Sequence, residues 1–216
     1  MKKTLYSLML SDDVVRAVDQ MAHRLGTNRS ALVNQILAEY VDLETPERQI
    51  QDIFRQMEAL LVSDRELVPF VTPNANSISV KSSLQYRYRP TVKYSVELYR
   101  DRGNALGELS VVFRTQSQEL LDAMAGFFRL WKQIEDELIA PYRRQPIEYA
   151  LYAGRFTRTI ALAAGRDYTT GDIAEAISAY VRLFDRLMKG YLARTMSAQE
   201  VYNEYLRWLH EGNTIL

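Results

Sequence analysis

The residues from Thr4 to Asp13 read TLYSLMLSDD, and this stretch decides how the amino-terminal end of the chain folds. From Thr4 to Leu10 the side chains alternate between two faces, with the period of two that is typical of a β-strand. One face carries Tyr6, Leu8 and Leu10, and the other carries Leu5, Ser7 and Met9. We therefore predict a short strand that ends before Ser11.

Two amphipathic helices are predicted to follow this strand. Ser11 occupies an N-cap position, and apolar residues then recur at helical spacing from Val14 to Leu25, before Gly26. A second helix is predicted over about residues 31–43, closed by Thr45-Pro46. Its expected buried face consists of Leu32, Val33, Ile36, Leu37, Tyr40 and Val41.

This strand-helix-helix unit is too small to be complete in one copy. A lone strand leaves its backbone N–H and C=O groups without partners, and two short helices cannot bury its apolar face. A second copy supplies both the pairing strand and the missing core. We therefore expect an intertwined homodimer.

Within residues 1–45 the sequence resembles the ribbon-helix-helix superfamily of Arc-, MetJ- and CopG-type repressors. The resemblance rests on three stretches: Leu8 to Val14, Arg24 to Gly26, and Thr27 to Val33. It implies a two-stranded ribbon in the major groove of double-stranded DNA, with phosphates held at the start of the second helix. The expected function is that of a DNA-binding transcriptional regulator.

The resemblance also implies which residues touch DNA. It assigns this role to Lys2, Lys3, Leu5, Ser7, Met9, Asn28, Arg29 and Ser30. Among the ribbon positions only Ser7 can donate and accept hydrogen bonds, while Leu5 and Met9 are limited to apolar contact with thymine methyl groups. Phosphate binding is expected from the backbone N–H groups at the start of the second helix and from the charge of Arg29.

The charge balance limits how strongly one dimer can bind DNA. The chain has 27 basic and 27 acidic side chains, so its formal net charge is zero and any DNA-binding surface has to be local. Acidic residues offset basic ones within residues 1–45 as well. We expect modest affinity from a single dimer, which a higher oligomer would strengthen. A dimerisation unit that has lost DNA binding is the alternative interpretation.

We expect three consecutive parts in an α+β protein: a dimerisation and DNA-binding unit (1–45), a linker helix and loop (46–75), and an antiparallel-sheet α+β domain (76–216). Predicted strands cover 78–88, 92–99 and 109–114, a predicted hairpin covers 148–160, and predicted helices cover 47–61, 117–139, 170–192 and 198–210. Residues from Ser117 align without gaps on those from Thr170, which favours two strand-strand-helix units on one sheet.

The sequence carries no pattern of an enzyme or of a cofactor site. It has no cysteine, and His23 and His210 lie far apart without metal-ligand spacing. Glu135-Asp136-Glu137 is an acidic run at a helix end, which we expect to be a solvated face. We predict no catalytic residue, no metal and no cofactor. A cytoplasmic protein without a membrane segment is expected.

Two further functions stay open. A basic sheet face is predicted to carry Lys81, Arg87, Arg89, Lys93 and Arg114. Such a face can bind single-stranded nucleic acid, although solvated outer-face residues have the same pattern. The third possibility is an interaction protein, such as an antitoxin or a plasmid or phage maintenance factor, in which the second domain binds a protein partner or a small effector.

Overall fold

The computed structural model describes residues 5–62, 64, 66–71, 76–84, 90–100, 105–143, 146–152, 154–163, 167–213 and 216. Within these residues the helices are α1 (Asp12–Arg24), α2 (Arg29–Tyr40), α3 (Pro46–Val62), α4 (Gln118–Leu138), α5 (Thr170–Leu192) and α6 (Ala198–His210). The strands are β1 (Leu67–Val71), β2 (Ser77–Ser83), β3 (Thr91–Leu98), β4 (Gly107–Phe113), β5 (Tyr149–Tyr152) and β6 (Arg155–Ile160).

The strands form one sheet in the order β1-β2-β3-β4-β6-β5, and every neighbouring pair is antiparallel. The β4–β6 pair joins two strand-strand-helix units, β3-β4-α4 and β5-β6-α5, while β1 and β2 extend the sheet at one side. The predicted α+β fold with an antiparallel sheet is thereby confirmed.

The core lies between one face of the sheet and the helices α3 to α6. The sheet residues of this inner face are Ile78, Val80, Val92, Tyr94, Val96, Leu98, Leu109, Val111, Phe113, Phe156 and Ile160. Phe184 of α5 lies at the centre, with its ring centroid 4.6 Å from that of Trp131 and 5.3 Å from that of Phe127. α3 contributes its apolar side to the same core through Ile53, Phe54 and Met57.

The prediction of a linker loop after the helix at 47–61 is wrong for residues Leu67–Val71, because they form β1. Pro69 cannot donate a backbone hydrogen bond, and this argued against a strand. It is tolerated here because β1 is the edge strand and needs ladder bonds on one side only. The strand predicted over 78–88 is described only to Ser83, and residues 85–89 lie outside the described part of the chain.

The hairpin predicted over residues 148–160 is confirmed as β5 and β6. Gly154 has a φ of 75° in the turn, a conformation that side-chain-bearing residues rarely adopt. A Cβ atom at this glycine would also lie 3.0 Å from the carbonyl oxygen of Phe113. Turn conformation and close packing therefore both require glycine.

The two carboxyl-terminal helices have the predicted bounds, 170–192 and 198–210. A capping box starts α6: the Ser197 hydroxyl accepts from the backbone N–H of Glu200, and the Glu200 carboxylate accepts from the backbone N–H of Ser197 at 2.7 Å. None of the helices in the described ranges is both long and apolar enough to cross a membrane.

Candidate nucleic-acid interface

Residues 5–10 have no regular secondary structure, are exposed, and pair with no strand among the described residues. Exposure alternates in the second half of the segment, where Leu8 is 53% exposed, Met9 101% and Leu10 43%, whereas Leu5 and Tyr6 are both exposed, at 95% and 82%. Leu8 and Leu10 are thus turned towards the same side, away from Met9, as the period of two predicts. The predicted strand is not formed in these residues of the single chain.

The amino-terminal unit, residues 5–45, exposes most of its apolar side chains. Its two helices pack against each other but bury only Ala22, Leu32 and Ala38. Its exposed large apolar residues are Leu5, Tyr6, Leu8, Met9, Leu10, Val14, Met21, Ile36, Leu37, Tyr40, Val41 and Leu43. A surface of this kind on a soluble protein marks a contact with another molecule.

The expectation that α2 buries Ile36, Leu37, Tyr40 and Val41 is therefore wrong for one chain. Leu32 is buried as predicted, because it faces α1. The other four side chains are exposed among the described residues, Ile36 to 42%, Leu37 to 49%, Val41 to 66% and Tyr40 to 89%. They form an exposed apolar face of α2.

The connection between α1 and α2 has a defined geometry. Gly26 adopts a φ of 62°, the backbone N–H of Thr27 donates to the carbonyl of Ala22 at 2.9 Å, and that of Gly26 donates to the carbonyl of His23 at 3.2 Å. These two bonds form a Schellman motif, which ends α1 and redirects the chain. The glycine thus fixes the direction in which α2 begins.

The first turn of α2 offers backbone donors to an anion. The helix starts at Arg29, two residues earlier than predicted, because the Asn28 side chain caps it and accepts from the N–H of Ala31 at 2.9 Å. The N–H groups of Arg29 and Ser30 have no acceptor among the described residues, and both residues are exposed. Exposed N–H groups at a helix N-terminus bind phosphate well.

Arg29, the cation of this turn, forms a bidentate ion pair with Asp19 of α1. Its Nε donates to Asp19 Oδ1 at 2.6 Å, and its Nη2 donates to Oδ2. The hydrogen bond from Arg29 lowers the pKa of Asp19, and the same bond raises the pKa of Arg29. Both side chains are about half exposed, so the pair adds little stability. It does offset the positive charge of Arg29.

Arg24 is a candidate contact that sequence reasoning did not assign to DNA. It is the last residue of α1, it is exposed, and no carboxylate among the described residues pairs with it. Arg16, by contrast, is paired with Asp13 at 2.7 Å. The sequence does indicate this position, since Arg24 precedes Leu25-Gly26 at the turn that leads to Arg29.

The second predicted surface is described in part. Lys81 and Lys93 lie opposite each other on β2 and β3, on the sheet face turned away from the helices, and both are exposed. Arg114 is exposed just after β4. Lys2, Lys3, Arg87 and Arg89 lie outside the described residues. The DNA-contacting roles of all these residues stay predictions.

A buried ionic network corrects one expectation about acidic residues. Glu135 was expected on a solvated helix face, but it is fully buried and its Oε2 accepts from Arg158 Nε at 2.9 Å. Asp136 and Glu137 are exposed, as expected. The periodicity of α4 explains the difference: Glu135 follows Phe128 and Trp131 on the inward side of the helix.

Three tyrosines complete the hydrogen bonds of this carboxylate. Glu135 accepts from the hydroxyl groups of Tyr149 at 2.8 Å, Tyr180 at 2.8 Å and Tyr205 at 3.1 Å. Burial raises the pKa of each of these tyrosines, and the negative charge of Glu135 adds to the effect. The network joins α4, β5, α5, β6 and α6, so its role is to hold the second domain together.

The raised tyrosine pKa values predict a loss of stability at high pH. A group whose pKa is higher in the folded state stabilises the fold fully below its ordinary pKa, which is 10.0 for tyrosine, and loses this contribution as the pH rises further. We expect the free energy of unfolding to fall above about pH 10 by roughly 1.4 kcal/mol per pH unit for each such tyrosine. Urea unfolding at stepwise pH measures this.

An absorbance titration of tyrosinate is the control for this prediction. Part of the 14 tyrosines should resist ionisation until the protein unfolds. If all of them titrate in the folded protein near the ordinary pKa, the network described here does not exist in solution.

A cavity of about 720 Å³ lies between α5, the last turn of α6 and the β1–β2 edge. Leu67, Leu84 and Trp208 provide apolar wall. Lys189 on the same wall is paired with Asp185 at 2.7 Å and with Glu66 at 2.6 Å. The volume suits a small molecule, but the charged groups of the wall already neutralise one another, so the geometry selects no ligand class.

The described residues contain no cluster of three or more side chains able to hold a metal ion. His23 and His210 are exposed helix residues, as predicted.

Comparison with known proteins assigns one segment of the chain. Residues 7–44 match the family model described as "Ribbon-helix-helix protein, copG family". The match covers most of the segment 5–10, α1 and α2, and confirms the resemblance seen in the sequence. The amino-terminal unit is therefore similar to the ribbon-helix-helix proteins of the copG family. No curated protein and no solved structure matches the chain, and the remainder is unassigned.

Proposed function

We propose that the protein is a homodimeric transcriptional regulator that places a two-stranded ribbon in the DNA major groove. Each copy contributes its segment 5–10 to the ribbon, and α1 and α2 of both copies form a shared core beneath it. The proposal assigns the chain a binding role and no catalytic one.

The observation that carries this proposal is the unpaired segment 5–10 together with the alternating exposure of its second half. The chain exposes Leu8, Leu10 and the apolar face of α2 at once. A second copy carries the same apolar surface, so two copies related by a two-fold axis can bury these surfaces against each other. Pairing of two such segments satisfies their backbone groups and covers Leu8 and Leu10. Leu5, Ser7 and Met9 then point outwards, towards base edges.

The phosphate contact in this proposal falls on the start of α2. The exposed N–H groups of Arg29 and Ser30 lie beside the Arg29 guanidinium, so a phosphate oxygen can accept from both. Asp19 competes with the phosphate for the guanidinium, because it holds Arg29 in a bidentate pair. Asp19 is therefore expected to weaken binding without touching DNA.

Substitutions at this ion pair should move DNA affinity in opposite directions. Arg29→Ala removes one phosphate contact per subunit, and the slope of log affinity against log salt should become shallower by about 0.9 per contact, or roughly 2 per dimer. Asp19→Asn keeps the shape of the side chain, frees the guanidinium and removes a negative charge, so it should tighten binding. Fluorescence anisotropy on duplexes selected from a random pool, at two salt concentrations, measures both.

Arg55→Ala on α3 is the matched control. This arginine is exposed and paired with an aspartate one turn away, as an ordinary surface pair, and lies outside the matched segment. Its loss should leave affinity and salt slope unchanged. If Arg29→Ala behaves like Arg55→Ala, the phosphate is not held at α2. If the full chain prefers single-stranded over duplex pools, the proposed function itself is wrong.

A further inference from the structure

The sheet face turned away from the helices, called the outer face here, is made of three parallel rows that run across the strands. The middle row consists of Ser79, Ser95, Ser110 and Thr157, which are opposite one another in consecutive strand pairs. All four side chains are small, and Ser110 and Thr157 are each only 7% exposed. The row continues on β1 as Phe70, which is 49% exposed. No helix in the described part of the chain covers the outer face, and Lys81, Lys93 and Glu97 on it are exposed.

A cationic row lies on one side of the middle row. Lys81 is opposite Lys93, and Arg155 continues the row on β6 beyond Val112. Like charges directly opposite each other destabilise a strand pair. Neither lysine has a carboxylate partner among the described residues; Lys81 Nζ lies 4.7 Å from the centre of the Phe70 ring.

An acidic row lies on the other side. Glu97 is opposite Glu108, and Glu148 lies beside Thr159 on the next pair, where Thr159 donates its N–H to the Glu148 carbonyl at 3.0 Å. Burial raises the pKa of the nearby Tyr99, and the charges of these three glutamates raise it further.

Arg155 reaches across the middle row: its Nε donates to the Ser110 hydroxyl at 3.1 Å, and its Nη2 lies 3.7 Å from Oε1 of Glu108 in the same chain. Among the described residues the outer face is therefore bipolar through its remaining charges, with Lys81 and Lys93 on one side and Glu97 and Glu148 on the other.

We propose that the outer faces of two copies stack against each other around a two-fold axis that runs along the middle row. Each cationic row then lies over the acidic row of the partner, and Lys93 faces Glu97 of the partner subunit. The small middle residues let the two sheets approach closely, at the spacing of about 10 Å found for packed sheets.

Charge excludes the other simple arrangement. Two identical faces can meet only around an axis that lies between the sheets, parallel to them. An axis along the strands would place lysines over lysines and glutamates over glutamates. A rotation about an axis along the middle row reverses the direction of each strand in the partner. Lys93 and Glu97 lie two residues, or about 7 Å, on opposite sides of Ser95. The rotation therefore places the Glu97 position of the partner over Lys93. Only this axis brings opposite charges together.

The acidic row also favours a second copy of the chain over a nucleic acid as the partner of the outer face. A single strand laid across the outer face would bring its phosphates close to Glu97, Glu108 and Glu148. Self-association uses both rows, whereas nucleic acid uses one and is repelled by the other. The stacking surface is separate from the amino-terminal unit, so it would join two ribbon-helix-helix dimers and present two DNA-binding units at once, which strengthens weak binding.

The chain has no cysteine, which allows a direct test. Ser95 lies on the proposed axis, so two copies of Ser95→Cys in the full chain should face each other across the gap between the sheets and be joined by a short bismaleimide cross-linker, seen as a dimer on a denaturing gel. Gln133→Cys, at an exposed position on α4, is the control and should cross-link at least about tenfold more slowly, since α4 lies on the other side of the sheet.

Charge variants complete the test. In the Ser95→Cys chain, Lys93→Glu should slow cross-linking, and Lys93→Glu combined with Glu97→Lys should restore it, although the swap leaves the composition unchanged. Without the cysteine, Lys93→Glu should lower the mass of the assembly in sedimentation velocity from four chains to two. Equal cross-linking of Ser95→Cys and Gln133→Cys overturns the proposal. So does a Lys93→Glu chain that loses binding to a single-stranded oligonucleotide while it cross-links normally.

Discussion

Glu135→Gln should destabilise the second domain by about 3–5 kcal/mol, the loss found when one partner of a buried ion pair is removed. The substitution keeps the shape of the side chain but leaves the positive charge of Arg158 buried without its anion. Arg158 has few other contacts for this charge: its Nη1 and Nη2 donate to no described residue, and its Cζ lies 4.6 Å from the centre of the Tyr180 ring. Equilibrium urea unfolding measures the loss.

Asp136→Asn is the matched control for Glu135→Gln. Asp136 is the next residue on α4, it is exposed, and it pairs with Lys132 one turn away. Its removal should cost less than about 1 kcal/mol, as for other surface ion pairs.

A double substitution separates the buried charge from general damage to the core. Glu135→Met together with Arg158→Met removes both charges at once and should recover part of the stability lost in Glu135→Gln, because no uncompensated ion remains. The recovery is partial, since three tyrosine hydroxyl groups lose their common acceptor. If the double variant is less stable than Glu135→Gln, the cost does not come from the unpaired arginine.

The sequence predicted the elements whose signals are local. The bounds of α5 and α6 were predicted correctly, because each helix combines apolar periodicity with a capping residue. The β5–β6 hairpin was predicted from Gly154 and its flanking strand-forming residues. The burial of Glu135 could not be predicted in this way. It depends on Arg158, which reaches Glu135 only after β6 has joined β4 in the sheet.

The sequence alone predicted more of the ribbon face than of the outer face. The ribbon face was predicted because alternation over seven residues needs no tertiary information. On the outer face, alternation placed Lys81 and Lys93 correctly on one side. The same alternation assigns Glu97 and Glu108 to that side too, but their arrangement in a separate row depends on strand register, which turn geometry and packing decide.

Leu8→Glu and Met9→Glu should separate dimer formation from DNA binding. In the proposed ribbon Leu8 faces the core of the dimer, so Leu8→Glu places two carboxylates there and costs several kcal/mol, or about a hundredfold or more in dimer affinity. This chain should lose both the ribbon-helix-helix dimer and duplex binding.

Met9 is fully exposed in the single chain and faces the groove in the proposed ribbon, so Met9→Glu should leave the dimer intact. It should still abolish duplex binding, because it brings two negative charges close to the bases and phosphates. Sedimentation at low concentration in the Lys93→Glu background reports the dimer, and anisotropy on duplex DNA reports binding. Since the two substitutions are adjacent and chemically alike, only the direction of each side chain distinguishes them. If both chains lose the dimer, or if both keep it, residues 5–10 do not form a ribbon with one face in the core and one in the groove.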